Sequence, residues 1–230
     1  MGRVCGRFTL TDPSPRRLTA RFDLDGSFEL DERPRFNIAP TDAVIAIRRT
    51  EEATMQAGRL RWGLLPGAWA TKRRGRPLIN ARAETVASQP AFRESFERRR
   101  CLIPADGFYE WRRDEHGKRP VWFSSPDGEP FAFAGIWARL EPAGAEPVTS
   151  CALLTCPPNQ VVGAVHDRMP VVLSRATERA WLDPEAPSER LSELLVPAPD
   201  GRLVAREVGE AVNNVREDGP HLLEPPMNLF

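Results

Sequence analysis

The sequence predicts an α+β protein: a single β-rich domain over residues 1–230, built around an antiparallel, barrel-like sheet with a few peripheral helices. Runs rich in β-branched and aromatic residues outnumber amphipathic runs, and the two kinds do not alternate regularly as they would in a doubly wound sheet. The 23 prolines are spread through the chain, where they separate short elements instead of forming one linker.

Strands are expected where β-branched and aromatic residues cluster, because such side chains suit a pleated, half-buried surface. These runs are residues 4–10, 43–48, 59–65, 120–124, 131–139, 148–155 and 170–174. Amphipathic runs predict helices at residues 14–23, 88–99, 175–182 and 187–195. Ser174 is the expected N-cap of the third helix, and the softer stretches 141–147 and 196–202 are expected to be loops.

Composition excludes several classes of protein. No apolar run approaches the roughly 18 residues of a membrane span, and no basic-then-apolar leader opens the chain, so a cytoplasmic protein is expected. The four cysteines lack Cys-x-x-Cys spacing and the three histidines are scattered, so neither a disulfide scaffold, a metal site nor a cofactor is expected. The formal net charge is zero, which on its face argues against a polyanionic partner.

The basic residues are nevertheless unevenly chosen and placed. Of the 32 basic residues only Lys72 and Lys118 are lysine, and a GC-rich genome explains most of this bias toward arginine. Two local clusters occur, at residues 72–76 and 98–100. Arginine binds phosphate through a planar fork, but basic clusters are usually solvated surface. They permit nucleic-acid binding without arguing strongly for it.

Cys5 and Asn80 are two polar residues in stretches otherwise suited to burial. Cys5 has the plain alternative of a small core residue in an edge strand. Asn80, Arg82 and Glu84 alternate with apolar residues in LINARAET, which places these three on one face of a strand. A half-exposed strand without further function explains that pattern equally well.

Glu110 and His166 complete the set of candidate reactive residues. Glu110 follows aromatic residues in ADGFYEW, and an apolar environment would raise its pKa into the range where it can donate and accept protons. Its alternative is a surface ion pair with Arg112 or Arg113. His166, beside Asp167, is either a group tuned near neutral pH or a structural histidine. Together the four residues permit nucleophilic catalysis.

Seven motifs in order resemble those of a known family. They are CGRF (5–8), FNIAPTD (36–42), RWGLLPGAW (61–69), INARAET (79–85), RCLIPADGFYEW (100–111), AVHDRMPVVL (164–173) and VNNVREDGPHLLEP (212–225). The chain is therefore similar to the SRAP family, the SOS response-associated peptidase domain that shields abasic sites in DNA. The resemblance extends over essentially the whole chain.

The resemblance implies a covalent DNA-repair factor that acts on single-stranded DNA containing abasic sites. Its amino-terminal cysteine, matched by Cys5, closes a thiazolidine on the abasic aldehyde, and a strand-cleaving lyase activity and glutamate-assisted reversal are also expected. Asn80 matches the residue that positions the sugar. Glu110 matches the acid/base, and His166 the histidine that helps to open the sugar.

The resemblance also implies how the DNA strand is held. Arg7, Arg82 and Arg168 match residues that bind flanking phosphates, in keeping with bidentate arginine geometry. Pro40 and Trp69 match apolar residues that pack against the bases beside the lesion. The protein is expected to work as a monomer associated with the nucleoid.

The start of the chain departs from the family, whose cysteine directly follows the initiator methionine. Here Gly2, Arg3 and Val4 intervene, so residues 1–4 are expected to be an extra leader. A misassigned start, trimming in the cell and loss of crosslinking all explain the difference. A GTG codon would be translated as methionine at a start, which favours a start at Val4.

Two other function classes remain open from the sequence. One is a thiol peptidase that removes its own leader, with Cys5 as nucleophile and His166 or Glu110 as base. The other is a non-catalytic module for single-stranded DNA, whose binding would be salt-sensitive and indifferent to the lesion.

Overall fold

The computed structural model describes residues 5–25, 32–50, 52–66, 77–115, 117–141, 144 and 146–226. Within these ranges the strands are β1 (Phe8–Leu10), β2 (Arg35–Ile38), β3 (Ala43–Arg49), β4 (Met55–Trp62), β5 (Asn80–Arg82), β6 (Arg100–Ala105), β7 (Gly107–Asp114), β8 (Gly117–Ser124), β9 (Phe131–Leu140), β10 (Val148–Cys156), β11 (Met169–Pro170), β12 (Val172–Leu173) and β13 (Val204–Glu207). The α-helices are α1 (Pro15–Phe22), α2 (Arg93–Arg98), α3 (Gln160–Gly163), α4 (Arg175–Leu182) and α5 (Ser188–Glu193), and 3-10 helices form at Glu210–Asn213 and Pro220–Leu223.

The first sheet is antiparallel and has the strand order β13-β8-β7-β1-β2. Its centre is β7, which pairs along its length with β8. On the other side of β7 lies β1, with Phe8 opposite Phe108. Tyr109 N donates to Arg7 O at 3.0 Å, so the pairing continues in front of β1. The segment that precedes β1 therefore runs beside the middle of β7.

The second sheet closes on itself. Strands β3, β4, β10, β9 and β6 form a ring because β10 pairs with both β4 and β9. Most pairings are antiparallel, but β4 and β5 run parallel to β10. Strands β3 and β6 pair at one position, where Ile47 lies opposite Leu102. The predicted antiparallel, barrel-like sheet is confirmed as a closed ring of strands, although the ring is not a regular barrel.

Aromatic side chains join the two sheets in one hydrophobic core. The Phe8 ring of the first sheet lies 5.2 Å from Trp62 and 5.7 Å from Phe133, both in the ring of strands. Phe108 stacks on Phe123 at 5.1 Å. Each of these side chains is almost fully buried, which stabilises the fold by about 1.5–3 kcal/mol per large apolar side chain. The β-rich α+β class predicted from the sequence is thus confirmed.

Several predicted elements are confirmed within a few residues. The strands expected at 43–48, 120–124, 131–139 and 148–155 are β3, β8, β9 and β10. The helices expected at 14–23, 175–182 and 187–195 are α1, α4 and α5. Ser174 caps α4 as expected: its backbone N–H donates to Thr177 Oγ1 at 2.9 Å, and its hydroxyl accepts from Thr177 N.

Other predicted boundaries were wrong for local backbone reasons. The strand expected at 4–10 begins only at Phe8, because Cys5 has a left-handed φ of 42° that extended backbone does not allow. The strand expected at 170–174 is two strands. Between them Val171 bonds with Leu154 of β10 through its N–H and with Ala134 of β9 through its carbonyl.

The remaining boundary errors arise at glycine and proline. The strand expected at 59–65 is β4, which ends at Trp62 because Gly63 takes a φ of 131°. The helix expected at 88–99 is only α2, because Pro90 cannot continue a helix through its interior.

Strands β2, β6, β7 and β13 were not predicted from the sequence. The Asp-Gly pair between β6 and β7 indicates a turn. In the structure Asp106 lies where the chain passes from the second sheet, which contains β6, into the first sheet, which contains β7. Its carboxylate accepts hydrogen bonds from Thr9 Oγ1 and from both the N–H and the hydroxyl of Thr11. These bonds hold the chain where it leaves the ring and enters the first sheet.

Gly107 starts β7 under the indole of Trp122. A Cβ atom at this position would lie inside van der Waals distance of the Trp122 ring, so Gly107→Ala is expected to lower the free energy of unfolding by about 2–3 kcal/mol through overpacking. The matched control is Gly209→Ala, where a Cβ meets nothing within 4 Å and the change is expected to stay within about 0.5 kcal/mol. Urea denaturation of both variants measures the difference, and equal stabilities would contradict this packing.

Within the described ranges, the helices lack the length and apolar character that crossing a membrane requires.

Candidate active site

Cys5 lies fully buried in front of β1. Its left-handed φ of 42° costs an L-residue about 1–2 kcal/mol. In this conformation its backbone N–H donates to Glu110 Oε1 at 2.5 Å. Burial, and secondarily the nearby Glu110 carboxylate, raises the pKa of the Cys5 thiol well above its ordinary value. At neutral pH Cys5 is therefore a thiol and not a thiolate.

Glu110 is positioned by the alternation of side chains along β7. It follows Phe108 by two residues, so the two side chains lie on the same face of β7, and Glu110 is only 1% exposed. Burial raises the pKa of Glu110 to about 8, the Cys5 N–H and Lys118 lower it in part, and Asp167 raises it further. This carboxyl group can accept and donate a proton near neutral pH.

The alternative interpretation of Glu110 as a surface ion pair is wrong. Arg112, which the sequence offered as a partner, points away and pairs with Glu207 of β13. Glu110 instead faces the backbone nitrogen of Cys5.

His166 is held at the end of the short helix α3. Its N–H donates to Val162 O at 2.9 Å, which ties the segment after α3 back to that helix. Its ring Nδ1 accepts from the backbone N–H of Arg168 at 3.1 Å and lies 3.0 Å from Asp167 Oδ1. When Nδ1 accepts from Arg168 N–H, the proton of the neutral ring is on Nε2 and that nitrogen is a hydrogen-bond donor; when Nδ1 instead donates to Asp167, Nε2 is an acceptor.

Glu110 and His166 line the same cavity of about 300 Å³. Its remaining lining residues are Trp111, Arg113, Lys118, Val165 and Asp167. Because Glu110 also contacts Cys5, the structure brings three of the four predicted reactive residues to one place. The cavity has a basic wall, a carboxyl group with a raised pKa and an imidazole, which is a combination suited to acid-base chemistry on an anionic substrate.

A second cavity of about 660 Å³ adjoins the first, because Trp111 and Lys118 line both. Arg7 and Pro40 lie in its wall. Arg7 donates through one guanidinium nitrogen to Asn37 Oδ1 and to Val212 O, both at 2.8 Å, which fixes the direction of its side chain.

Asn80, Arg82 and Arg168 flank the end of β10. Asn80 and Arg82 belong to β5, opposite Leu153 and Thr155 of β10. On the other side of β10, Arg168 comes just before β11 and reaches across to Thr155 O at 2.6 Å. Neither Asn80 nor the two arginines lines the two cavities described above.

The guanidinium of Arg168 also forms a bidentate pair with Glu84, with distances of 2.6 and 2.9 Å. This pair holds the pKa of Glu84 below its usual value. Glu84 lies in the turn after β5, so it does not share a strand face with Asn80 as the alternation predicted. A phosphate bound by Arg168 would compete with this carboxylate.

Trp69 and the basic cluster at 72–76 lie outside the described residues. In the other basic cluster, Arg100 is buried and donates to the carbonyls of Trp181, Phe96 and Asp183. Arg100 therefore has a structural role at the ends of helices and is no part of a solvated surface. Over the ranges that the structure describes, no group of His, Cys, Asp and Glu side chains is arranged to hold a metal ion.

The carboxy-terminal motif, residues 212–225, is hydrogen-bonded to β2 and to Arg7. Asp218 accepts from the N–H groups of Phe36 and Asn37, and Asn37 donates through Nδ2 to the carbonyls of Asn214 and Glu217 at 3.0 and 2.8 Å. These bonds tie the loop after residue 212 to β2. The loop in turn supplies the Val212 carbonyl that orients Arg7.

Two residues of the site were not predicted from the sequence. Trp111 donates through Nε1 to Asn213 Oδ1 at 2.7 Å and lines both cavities. Lys118 lies 4.6 Å above the Trp111 ring. The rarity of lysine in this chain was a usable signal for Lys118, whereas nothing in the sequence distinguished Trp111 from a core tryptophan.

Replacing Glu110 tests its buried carboxyl group. Because its folded-state pKa of about 8 exceeds the ordinary 4.5, the folded protein keeps a proton that the unfolded chain loses between these values. The stabilisation from this proton is complete below pH 4.5 and is lost as the pH rises through about 8.

Glu110→Gln removes this titration and leaves an oxygen that can accept from Cys5 N. The variant is expected to match the parent near pH 5 and to exceed it near pH 9 by several kcal/mol, at about 1.4 kcal/mol per pKa unit. Denaturant unfolding across this pH range measures the difference. Parallel stability curves for the two proteins would contradict a raised pKa.

Comparison with known proteins supports the resemblance carried by the motifs. The family model of the SOS response associated peptidase (SRAP) matches residues 4–215. Abasic site processing protein YoaM of Bacillus subtilis is 37% identical over 225 residues, which cover 96% of this chain and 98% of YoaM. Abasic site processing protein YedK of Escherichia coli is 30% identical over 227 residues, which cover 96% of this chain and 100% of YedK.

A crystal structure of a Bacteroides thetaiotaomicron protein has the same fold. It matches with a TM-score of 0.84 at 20% identity, over 97% of this chain and 100% of that one. Because the family model covers most of the sequence and YoaM is similar from end to end, this chain belongs to the SRAP family.

Proposed function

We propose that this protein processes abasic sites in DNA by trapping them covalently in single strands through an amino-terminal Cys5. The observation that carries the proposal is the 2.5 Å contact between the nitrogen of Cys5 and the carboxyl group of Glu110. The names of YoaM and YedK support the substrate class, since both are abasic site processing proteins.

The proposed chemistry requires a free α-amine at Cys5. The amine adds to the aldehyde of the opened sugar, water leaves, and an imine forms. The thiol then adds across the C=N bond: sulfur bonds to carbon and the proton goes to nitrogen, which closes a five-membered thiazolidine. An amide nitrogen cannot form the imine, so the reaction needs a protein that begins at Cys5. An α-amine has a pKa of about 7.7–8.0, so roughly a tenth is neutral at pH 7.

Glu110 serves this reaction as acid and base. In a protein beginning at Cys5 the α-amine occupies the place of the present N–H, in contact with the Glu110 carboxyl group. Glu110 takes a proton from the amine as it attacks and returns one to the oxygen that leaves as water. Burial raises the pKa of this carboxyl group in the full chain, and a buried carboxyl group of this kind can accept and donate a proton near neutral pH. His166 donates from Nε2 to the sugar oxygen as the ring opens.

The two joined cavities hold the lesion and the part of the strand beside Arg7 and Pro40. The strand continues outside these cavities past the end of β10, where Asn80, Arg82 and Arg168 lie. Arg7, Arg82 and Arg168 bind phosphates, with Arg168 exchanging its Glu84 partner for the strand. Pro40 packs against a neighbouring base, as Trp69 does, and Asn80 positions the sugar. The protein acts as a monomeric single domain on the nucleoid, without a cofactor.

The proposal is tested with protein that begins at Cys5. The probe is a single-stranded oligonucleotide with one uracil, treated with uracil-DNA glycosylase, and the untreated strand is the control. A band that survives a denaturing gel is expected only with the abasic strand. Salt-sensitive binding of both strands without such a band would instead indicate a non-catalytic binding module.

A second candidate function is removal of the residues before Cys5 by the protein itself. It is favoured by the left-handed φ at Cys5 and by the hydrogen bond from its nitrogen to Glu110, which can protonate that nitrogen as a leaving group. The thiol would attack the carbonyl carbon of residue 4, the C–N bond would break, and water would hydrolyse the thioester. The raised pKa of the thiol counts against it, since peptidase cysteines have lowered values.

Intact-mass measurement tests this second candidate. The full chain is incubated at neutral pH alongside Cys5→Ala. Loss of residues 1–4 from the parent alone supports self-processing, and an unchanged mass in both proteins rejects it.

A further inference from the structure

Lys118 is one of only two lysines among the 32 basic residues of this chain. It lies in β8, opposite Arg113 of β7, and its side chain is exposed. Its Nζ is 4.6 Å from the centre of the Trp111 ring. A lysine on the wall of the candidate site is unusual in a sequence that otherwise uses arginine for its positive charges.

The position of Lys118 connects it to the reactive residues. It lines the cavity that contains Glu110 and His166, and it also lines the adjoining cavity that contains Arg7 and Pro40. Its positive charge acts on the Glu110 carboxyl group. An aldehyde held where the two cavities meet is therefore within reach of the Lys118 side chain.

Lysine and arginine differ chemically at this point. A guanidinium binds phosphate well but does not form an imine with an aldehyde, whereas an uncharged lysine amine does. Elsewhere in the chain, arginine guanidinium groups donate several hydrogen bonds at once to carbonyls and carboxylates. Arg21, for example, donates to both carboxylate oxygens of Glu178 and to the carbonyl of Pro130. If Lys118 contributed only a positive charge, an arginine at this position would serve equally well.

We propose that Lys118 is a second amine of this site, which forms an imine with the abasic aldehyde independently of the nitrogen of Cys5 and thereby cleaves the strand. The inference rests on the proposed function, because it takes the same abasic substrate. It assigns strand cleavage to a residue that stays available when Cys5 is internal.

The steps balance without any further reagent. The Nζ ammonium first loses one proton to water; the uncharged amine then adds to the aldehyde carbon, its nitrogen passes a proton to the oxygen, and water leaves, giving the imine. Glu110, as carboxylate, removes the proton from the carbon next to the imine carbon, and the 3′ phosphate leaves with the electron pair of its C–O bond. Water then hydrolyses the imine, which releases the unsaturated aldehyde and returns the free amine.

Reductive trapping tests the proposal on the full chain, in which the nitrogen of Cys5 is an amide. The protein is mixed with abasic single-stranded DNA and sodium cyanoborohydride, which reduces an imine to a stable secondary amine. Digestion and mass spectrometry then locate the adduct. We expect it on Lys118, with strand cleavage in a parallel reaction that contains no reductant.

Lys118→Arg is the informative variant because it keeps the positive charge and the cation–π contact but removes the amine. Trapping and cleavage are expected to fall at least about tenfold, while affinity for intact single-stranded DNA stays within about threefold. Lys72→Arg is the matched control, since it removes the only other lysine, and trapping is expected to stay at the level of the parent.

Three results would overturn the proposal: equal trapping by Lys118→Arg, an adduct located on Lys72 or on the α-amine of Met1, or no trapping by the parent chain. Each of these leaves the proposed function standing if protein that begins at Cys5 still crosslinks without reductant. Conversely, failure of that crosslink together with trapping at Lys118 would reject the role of Cys5 and retain that of Lys118.

Discussion

Protein that begins at Cys5 and carries Cys5→Ala is expected to form no crosslink that survives denaturation. The variant keeps the α-amine beside Glu110, so it still forms an imine with the abasic aldehyde. It lacks the sulfur that closes the five-membered ring, and the imine is hydrolysed when the protein unfolds. A denaturing gel with abasic single-stranded DNA measures the loss, which should be complete within detection.

The same variant supplies its own control. With cyanoborohydride present, the imine of Cys5→Ala is reduced and a band is expected to return, which shows that the variant folds and binds the lesion. A reductant-independent band of undiminished intensity from Cys5→Ala would show that the crosslink does not involve the Cys5 thiol.

Glu110→Gln is expected to slow crosslinking by about 10²–10⁴-fold in protein that begins at Cys5. The amide keeps the size and the hydrogen-bond acceptor of the carboxyl group but cannot exchange a proton with the α-amine. Because the replaced group is buried with a raised pKa, its loss is not expected to harm folding. The rate is measured by quenching the reaction at successive times and quantifying the crosslinked fraction.

The matched control for this rate is Glu189→Gln, at an exposed residue of α5 that lines neither cavity. Its crosslinking rate should equal that of the parent. If Glu110→Gln reacts as fast as Glu189→Gln, proton transfer by Glu110 does not limit the reaction.

Much of the fold could be predicted because single strands and helices leave local signals. The continuous apolar and aromatic runs of β9 and β10 identified them with nearly correct boundaries, and a cap at Ser174 identified the start of α4. The closure of the ring could not be predicted, since it depends on β10 pairing with two strands distant from it in sequence. The left-handed backbone at Cys5 also has no local signal, because cysteine, unlike glycine or asparagine, does not favour a positive φ.

The candidate site was predicted in part. Glu110 was singled out by its aromatic neighbours, and burial is the main cause of its raised pKa. What the sequence could not show is which side chains share a cavity. Trp111 and Lys118 join the two cavities only because β7 and β8 form a hairpin, and the pairing of Arg168 with Glu84 depends on packing across β10.

The central claim is that Cys5 reacts through both its nitrogen and its sulfur. The most direct measurement compares protein that begins at Cys5 with the full chain on abasic single-stranded DNA without reductant, followed by peptide mass spectrometry. The claim predicts a single adduct on the amino-terminal peptide of the shorter protein, with the mass of the aldehyde less one water and with the thiol no longer alkylated by iodoacetamide. A stable adduct of equal yield on the full chain, or an adduct whose Cys5 thiol remains alkylatable, would contradict it.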